Sequence, residues 1–498
     1  MNSSFFSWDT SSPELPEQSS CSLKHGSSKS APANAPVPGS IPSQLSSFSH
    51  PSCLRHTELG SIQGRIQGDC QAYLGIRYAI ADRWERAVLV EHWDGTYDAT
   101  HFGDRACQFR GFYGVEDSAI NQFYHDEARS QLPAVYSEDC LNLNIWTRSD
   151  AAELPVIVYI HGGAFLTGGN GEPFIDGEAF VQRGVILVSV NYRLGPFATA
   201  YGDGYTGNCA ITDQIAALTW VHRYIADFGG DPNRVTIMGE SAGAVSVQCL
   251  LLSPLARGLF QGAVMMSGGG DLSALGTPNR PQRAEPIWAR IKHDLSLSAI
   301  QEMKSCPPYR LYAAWQKALE ELPQFAAGSA KPVLDGKVLP TSVSQAQAQG
   351  TLSDVPCIFG ILSADSWPFT LCRAALEYAA RQQQAGRAPA YIYLFDRTPP
   401  GENPFGAFHG ADLWYAFGTL GRCWRPFEET DRQISNYLLD YLSQFAKTGD
   451  PNACGLPRWE PSGSDGQVLR LADQTAMCRP DLEQLRHTQE TASPYPYH

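Results

Sequence analysis

One serine in the sequence has the neighbours that a catalytic nucleophile needs. Ser241 lies in Gly239-Glu-Ser-Ala-Gly243, between a short apolar run typical of a strand and a longer run typical of a helix. This order predicts a nucleophile elbow, in which a strand turns sharply into a helix and presents the serine hydroxyl. The two glycines lack a Cβ atom, so strand and helix can approach closely around a strained residue. Because such a pentapeptide also recurs by chance, other segments must support the assignment.

A second segment has the composition to stabilise the charge that develops during acyl transfer. His161-Gly-Gly163 follows an apolar strand-like run and precedes Ser241 by about 80 residues, where serine hydrolases with an elbow place their second oxyanion arm. We expect the backbone N–H groups of Gly162, Gly163 and Ala242 to form an oxyanion hole. A tight turn at a strand end, without a catalytic role, is the alternative interpretation of this segment.

A histidine and a carboxylate complete the candidate site. His409 is the only one of the twelve histidines that lies in a loop after both Ser241 and a later candidate acid. Asp365 follows a predicted strand and gives the chain order serine, aspartate, histidine that this kind of hydrolase uses. The acid would orient the imidazole and stabilise its protonated form while His409 acts as the base. Asp396, at the end of the next predicted strand, is the second candidate for the acid.

The elements around these residues predict an α/β fold. Unbroken apolar runs of strand length alternate with helix-like segments, as in a mostly parallel sheet covered by helices on both faces. Residues 140–146 alternate apolar and polar side chains, which predicts a half-buried strand. Residues 275–330 have a helical and more polar pattern, so we expect a reduced cap over the site. A late amphipathic helix is expected from Thr430, as N-cap, to Gly449.

Composition and charge limit the classes of partner that the chain can have. The chain has 498 residues, 43% of them hydrophobic, and a net charge of −14, which argues against nucleic acid or an anionic membrane as partner. A small-molecule ester fits better. No apolar run approaches the roughly 18 residues of a membrane span. We expect a disordered Ser/Pro-rich leader over residues 1–56 and a single catalytic domain over residues 57–498.

The cysteines and the N-terminal residues predict the cellular compartment of the protein. The thirteen cysteines form no Cys-x-x-Cys pair, and there is no His-Glu-x-x-His, so we expect no metal site. The N-terminal residues lack the basic start and the long apolar run of a secretion signal. Mostly free thiols in a reducing cytoplasm are therefore expected.

From about residue 57 to its end, the chain resembles the type-B carboxylesterase and cholinesterase-like family of α/β hydrolases. The resemblance rests on eight motifs that occur in the family's order. They are Gly75-Ile-Arg-Tyr-Ala79, Ser137-Glu-Asp-Cys-Leu141, His161-Gly-Gly-Ala-Phe165, Asn191-Tyr-Arg193, Phe228-Gly-Gly-Asp-Pro232, Gly239-Glu-Ser-Ala-Gly-Ala244, Gly406-Ala-Phe-His-Gly410 and Phe445-Ala-Lys-Thr-Gly-Asp-Pro-Asn452.

The resemblance implies an α/β-hydrolase fold and ester hydrolysis through an acyl-enzyme, with no metal or organic cofactor. It assigns Ser241 as nucleophile, His409 as base and Glu240 as a carboxylate of the site wall, with Gly162, Gly163 and Ala242 as the oxyanion hole. The family's structural ion pairs and its first disulfide match further residues. These are Arg193 with Asp213, Arg83 with Glu138, and Cys107 with Cys140, although the expected reducing compartment opposes the disulfide.

Two departures from the family pattern affect the site. The chain has Asp365 where the family usually has glutamate, so the acid is one methylene shorter and its backbone must come closer to the histidine. Only 44 residues separate Asp365 from His409, fewer than in most relatives, and helices that usually wall the gorge are expected to be missing. We therefore expect a shallower, more open pocket that accepts bulky acyl or alcohol groups.

Two other functions are compatible with the same motifs. An amidase or carbamate hydrolase would use the same triad. The sequence does not show which leaving group the enzyme accepts, so it does not separate these activities from ester hydrolysis. A non-catalytic cholinesterase-like binding protein would keep the fold after losing the serine or the histidine. Since this chain keeps Ser241 and His409, a serine esterase is the prediction.

Overall fold

A thirteen-stranded sheet organises the chain. The computed structural model describes residues 51–108, 135–270, 278–326, 328–402 and 405–492, which belong to one compact unit. The sheet strands, in chain order, are β1 Ser52–Thr57, β2 Gly60–Gln67, β3 Cys70–Arg77, β4 Thr96–Asp98, β5 Asn142–Thr147, β6 Leu154–Ile160, β7 Ile186–Val190, β8 Gly230–Glu240, β9 Gly262–Met266, β10 Cys357–Leu362, β11 Ala390–Phe395, β12 Val468–Leu471 and β13 Ala476–Cys478.

The strand order places the predicted site at the centre of the sheet. The spatial order is β1-β2-β3-β5-β7-β6-β8-β9-β10-β11-β12-β13, with β4 beside β2. The strands from β7 to β12 pair in parallel. The pairs at the two edges are antiparallel, except that β4 pairs with β2 in parallel. The carboxyl ends of the parallel strands therefore lie along one side of the sheet, which is where open α/β folds bind ligands. The predicted strands of the central sheet are confirmed.

Helices cover the sheet, as the alternating pattern predicts. They are α1 Glu178–Gln182, α2 Cys209–Tyr224, α3 Ala242–Leu252, α4 Pro281–Asp294, α5 Pro308–Glu321, α6 Pro323–Ala326, α7 Val343–Gln349, α8 Pro368–Gln384, α9 Leu413–Ala416, α10 Glu429–Thr448 and α11 Leu482–Ala492. None of them, within the described ranges, has both the length and the apolar composition to cross a membrane. The described part of the predicted cap holds α4, α5 and α6 and a 3₁₀ turn at Ile300–Ser305.

Two apolar cores lie on opposite faces of the sheet. Successive side chains of a strand point to opposite faces. In β6, Val156, Val158 and Ile160 pack in a core with residues of α2 and α3, while Ile157 and Tyr159 pack in a second core with residues of α10. An unbroken apolar sequence in β6 is thus required by burial on both sides.

The half-buried strand predicted at residues 140–146 is wrong in its burial. All residues of β5 are buried, because its polar side chains point into a hydrogen-bonded network instead of solvent. Asn144 donates to the Asn170 carbonyl and to the Ser189 hydroxyl, each at 3.0 Å, and Asn170 donates to the Asn142 side-chain oxygen at 3.0 Å. A strand with buried, hydrogen-bonded polar side chains therefore has the same alternating apolar and polar sequence pattern as a strand with one exposed face.

Two predicted boundaries also differ. The strand β1 begins at Ser52, so the folded region starts before the expected boundary at residue 57; the antiparallel partner β2 holds this short polar segment in the sheet. Residues 1–50 of the expected leader lie outside the described residues. The helix α10 begins at Glu429 with Glu428 as N-cap, not Thr430, because the Glu428 amide donates to the Asp431 carboxylate at 2.9 Å. Its end at Gly449 is as predicted.

Two ion pairs tie loops to this framework, and both match the pairs that the resemblance implied. Arg193 Nη2 lies 2.6 Å from Asp213 Oδ1, and both side chains are buried. Arg83 pairs with Glu138 and also donates to the Met303 carbonyl at 2.8 Å. The second pair therefore connects the main domain to the 3₁₀ turn of the cap.

Replacing Asp213 by alanine should destabilise the fold strongly. The substitution leaves the buried Arg193 guanidinium without its charge partner, which costs about 3–5 kcal/mol when one member of a buried pair is removed. Urea unfolding followed by circular dichroism measures the loss. The matched control is Asp150→Ala, which removes an exposed pair with Arg148 and should leave the unfolding midpoint close to that of the wild type, because solvent screens such pairs. Equal losses in the two variants would contradict the structural role of the buried pair.

Candidate active site

Ser241 occupies a strained turn between β8 and α3. Its φ of 55° and ψ of −119° are backbone angles that a residue with a side chain rarely adopts. Two hydrogen bonds fix the residue: its amide donates to the Met266 carbonyl at 2.8 Å, and its carbonyl accepts from the Val245 amide at 3.1 Å. The geometry is that of the predicted nucleophile elbow.

The elbow depends on close contacts that only glycine permits. A Cβ atom at Gly243 would overlap the carbonyl oxygen of Ile160 in the neighbouring strand β6, and one at Gly239 would overlap the carbonyl of Gly243. A Cβ at Gly268, after β9, would lie 2.8 Å from the Ser241 carbonyl oxygen. These distances are far inside van der Waals contact, so β6, β8, β9 and α3 meet at one point around the serine.

The glycine segment after β6 lies against the elbow. A Cβ atom at Gly162 would lie 2.8 Å from the Glu240 carbonyl and 3.2 Å from Ser241 Cβ. Gly163 has a φ of 106°, a conformation that favours glycine. Among the described residues, the amides of Gly162 and Gly163 donate no hydrogen bond to another protein group. Ala242, whose amide is the third expected donor, is the first residue of α3.

Tyr192 holds this segment in place, a role that the sequence did not reveal. Its hydroxyl donates to the His161 carbonyl at 2.8 Å, and its ring stacks on the His161 ring at a centroid distance of 4.5 Å. His161 Nδ1 lies 2.8 Å from the Gly162 carbonyl oxygen, which can only accept, so Nδ1 carries the proton. The motif Asn191-Tyr-Arg193 contained the signal, because it follows the strand beside β6.

The structure brings His409 and Asp365 together. Asp365 follows β10 and His409 lies in the loop after β11, and both side chains are buried. His409 Nδ1 is 3.0 Å from Asp365 Oδ1 and 3.1 Å from Oδ2. The other candidate acid, Asp396, instead accepts from Arg470 Nε at 2.8 Å. Asp365, not Asp396, therefore contacts the imidazole.

The second nitrogen of the imidazole faces Glu240. His409 Nε2 lies 3.1 Å from Glu240 Oε1, and both side chains are buried. In the described part of the chain, the Ser241 hydroxyl makes no hydrogen bond to His409. Because Glu240 directly precedes Ser241, this proximity places Nε2 beside the elbow.

Carboxylates determine the protonation of His409. Burial by itself would lower the pKa of His409, but the charges of Asp365 and Glu240 outweigh burial and raise the pKa to about 9. A third carboxylate, Asp412, lies fully buried in the same loop and accepts from the Tyr393 hydroxyl at 2.7 Å. Burial raises the pKa of Asp412 to about 6, although this hydrogen bond opposes the rise. Sequence analysis gave Asp412 no role.

Known proteins with similar sequences and structures include several esterases. The carboxylesterase family model matches residues 52–375 and 369–491. Para-nitrobenzyl esterase of Bacillus subtilis is 31% identical over 459 residues, which cover 80% of this chain and 90% of that protein. Human cocaine esterase is 30% identical over 509 residues, with 86% and 89% covered. A solved carboxylesterase of Geobacillus stearothermophilus matches with a TM-score of 0.72 at 27% identity, over 88% of this chain and 99% of that chain.

The central parallel sheet and its flanking helices define an α/β hydrolase. The chain belongs to the carboxylesterase family. It is a carboxylic ester hydrolase, and the resemblance predicted from the motifs is confirmed.

Replacing Gly243 by alanine should damage the elbow. The added methyl group overlaps backbone atoms that cannot move away without shifting β6, and such overpacking costs about 1–3 kcal/mol. We expect a lower unfolding midpoint in urea together with a loss of esterase activity. Gly421→Ala is the control, because a Cβ atom there meets nothing within 4 Å and should change stability by less than about 0.5 kcal/mol. A Gly243→Ala variant that matched this control would contradict the close packing.

Proposed function

We propose that Ser241, His409 and Asp365 are the catalytic triad of this ester hydrolase. The proposal also makes Gly162, Gly163 and Ala242 the oxyanion hole and Glu240 a wall of the site. Its main support is the contact of His409 Nδ1 with both oxygens of Asp365, at 3.0 and 3.1 Å. Nε2 lies 3.1 Å from Oε1 of Glu240, the residue before Ser241, which further supports His409 as the base for Ser241.

The reaction would proceed in two transfers of the acyl group. The Ser241 hydroxyl attacks the ester carbonyl while neutral His409 accepts its proton at Nε2, and the oxyanion is held by the backbone amides. The alcohol leaves with the proton from His409. Water then repeats the sequence on the acyl-enzyme and releases the acid. Asp365 keeps the imidazole oriented and stabilises its positive charge in both steps.

The partner of this site is a small-molecule ester, for which we propose an open pocket. Between Asp365 and His409 the described chain contains one helix, α8, before β11. This short connection supports a pocket that accepts bulky acyl or alcohol groups. The net charge of −14 supports a small or neutral substrate in place of nucleic acid.

We also propose a reducing, cytoplasmic location. The twelve cysteines among the described residues are free thiols, including Cys107 and Cys140. Burial raises the pKa of the Cys107 thiol to about 11, so the reactive thiolate is scarce at neutral pH and disulfide exchange at this position is slow.

The state of this cysteine pair can be measured on purified protein. We expect the intact mass to be the same with and without reductant, and both thiols to be alkylated after unfolding without reductant. A mass increase on reduction, with one disulfide-linked peptide holding Cys107 and Cys140, would contradict the proposed location.

Replacing Ser241 by alanine tests the triad. The variant should fold and should lose about 10⁶ in kcat, as knockouts of triad nucleophiles do. Activity is measured with p-nitrophenyl esters of rising acyl length and with one aryl amide, which also compares ester with amide cleavage. The control Ser464→Ala changes an exposed serine and should keep wild-type rates. Substantial esterase activity in the Ser241 variant would refute the assignment, and a sharp fall in wild-type rate with acyl length would refute the open pocket.

A further inference from the structure

Asp431 accepts hydrogen bonds from residues on both sides of His409 in the chain. Arg397, two residues after β11, donates from Nε to Asp431 Oδ1 at 2.8 Å and from Nη2 to Oδ2 at 3.2 Å. Tyr415, in α9, donates from its hydroxyl to the same Oδ1 at 2.7 Å. Arg397 precedes His409 and Tyr415 follows it, so one carboxylate joins the two flanks of the segment that carries the proposed base.

The Asp431 carboxylate is itself firmly held. Asp431 is fully buried in the first turn of α10, and its Oδ2 also accepts from the Glu428 amide at 2.9 Å. Burial would raise the pKa of Asp431, but the hydrogen bonds that it accepts lower this pKa overall. Hydrogen bonds to an ionised acceptor are stronger than those to a neutral one. Asp431 is therefore a charged anchor on a helix that packs in the second core.

The segment around His409 has a second attachment, to the loop that carries Asp365. The Ala364 amide donates to the Ala407 carbonyl at 3.1 Å, and His409 Nδ1 lies 3.0 Å from Asp365 Oδ1. The segment is thus held on one side by the loop after β10 and on the other by its flanks, which are bound to Asp431.

Contacts other than the carboxylate already hold α9 against its neighbours. The Tyr415 ring packs on Phe395 and Phe427 at centroid distances of 4.9 and 5.6 Å, and Ser435 Oγ donates to the Tyr415 carbonyl at 2.8 Å. These contacts keep α9 in place without Asp431. The carboxylate adds a link between the two flanks of the His409 segment, which packing of the rings does not supply.

We propose that Asp431 is a positioning residue for ester hydrolysis, which joins both flanks of the His409 segment and so keeps the imidazole in the position from which it serves Ser241. This inference rests on the proposed role of His409 as the base. Asp431 contacts neither the substrate nor the reacting atoms. A displacement of about 1 Å caused by a change far from the chemistry can lower a rate by about 10²-fold, so loss of the anchor should appear in kcat.

The test is the hydrolysis of p-nitrophenyl acetate by Asp431→Asn. In either orientation, the asparagine amide turns N–H groups towards a donor of Arg397, so the link weakens while the volume of the side chain is kept. We expect kcat to fall by about 10–100-fold. KM should stay close to the wild-type value, because acylation and deacylation both use His409 and slow together.

Rates are expressed per active site, counted as the Ser241 that a fluorophosphonate labels at completion. A purely structural role of Asp431 would lower the number of folded sites and leave the rate of each site unchanged. A positioning role lowers the rate of each site. The count therefore separates the two roles.

Two further variants make the test specific. Tyr415→Phe removes one hydroxyl and keeps the packed ring, so it should lower kcat by less than Asp431→Asn does. In the Asp431→Asn background it should have little further effect, because residues that share a contact are coupled in a double-mutant cycle. The control Asp440→Asn removes another ion pair of α10, in which Arg183 Nε lies 2.5 Å from Asp440 Oδ1. This control should keep the wild-type kcat.

Four results would overturn the inference. They are a wild-type rate per site in Asp431→Asn, a change in KM without a change in kcat, a loss in Tyr415→Phe that is equally large with and without Asp431→Asn, and a loss in Asp440→Asn as large as that in Asp431→Asn. Should Asp431→Asn fail to fold, Tyr415→Phe decides: a lower kcat per site supports the inference, and an unchanged kcat overturns it.

His409→Ala separates this inference from the proposed function. If His409→Ala is inactive while Asp431→Asn keeps the wild-type kcat, only the positioning role fails. If His409→Ala keeps the wild-type kcat, the proposed function itself fails.

Discussion

The site depends on a close backbone crossing, in which Gly243 at the start of α3 passes the Ile160 carbonyl at the end of β6 with no room for a side chain. This crossing forces Ser241 into its unusual backbone angles and brings the segment after β6 against it. Such strain persists only where the surrounding structure over-determines it. Here two buried cores on opposite faces of the sheet supply that constraint, so the stability of the fold maintains the backbone geometry of Ser241.

Buried charges determine the protonation state of His409. Three buried carboxylates surround His409, and their charges outweigh the burial that would otherwise keep the ring neutral. The charge of Asp365, which contacts Nδ1, therefore favours the protonated imidazole.

The sequence predicted the central strands because burial on both faces requires unbroken apolar runs, as in β6. It also placed Ser241 and Asp365 directly after strands of one sheet and His409 in a loop after a later strand, since motif and chain order carry that information. It could not predict which polar residues are buried. The asparagines of β5 imitate a surface pattern while forming an internal network. Tyr393 reaches Asp412 because its partner across the strands, Gly360, leaves space for the phenol, and strand register is absent from a sequence pattern.

The most direct measurement is a crystal structure of the enzyme after reaction with a fluorophosphonate. The account predicts a phosphonyl group on Ser241 Oγ, with its oxygen at about 2.7–3.1 Å from the amides of Gly162, Gly163 and Ala242. His409 Nε2 should point to Ser241 Oγ while Nδ1 keeps its contact with Asp365. A label on another residue, or a phosphonyl oxygen directed away from these amides, would contradict the account.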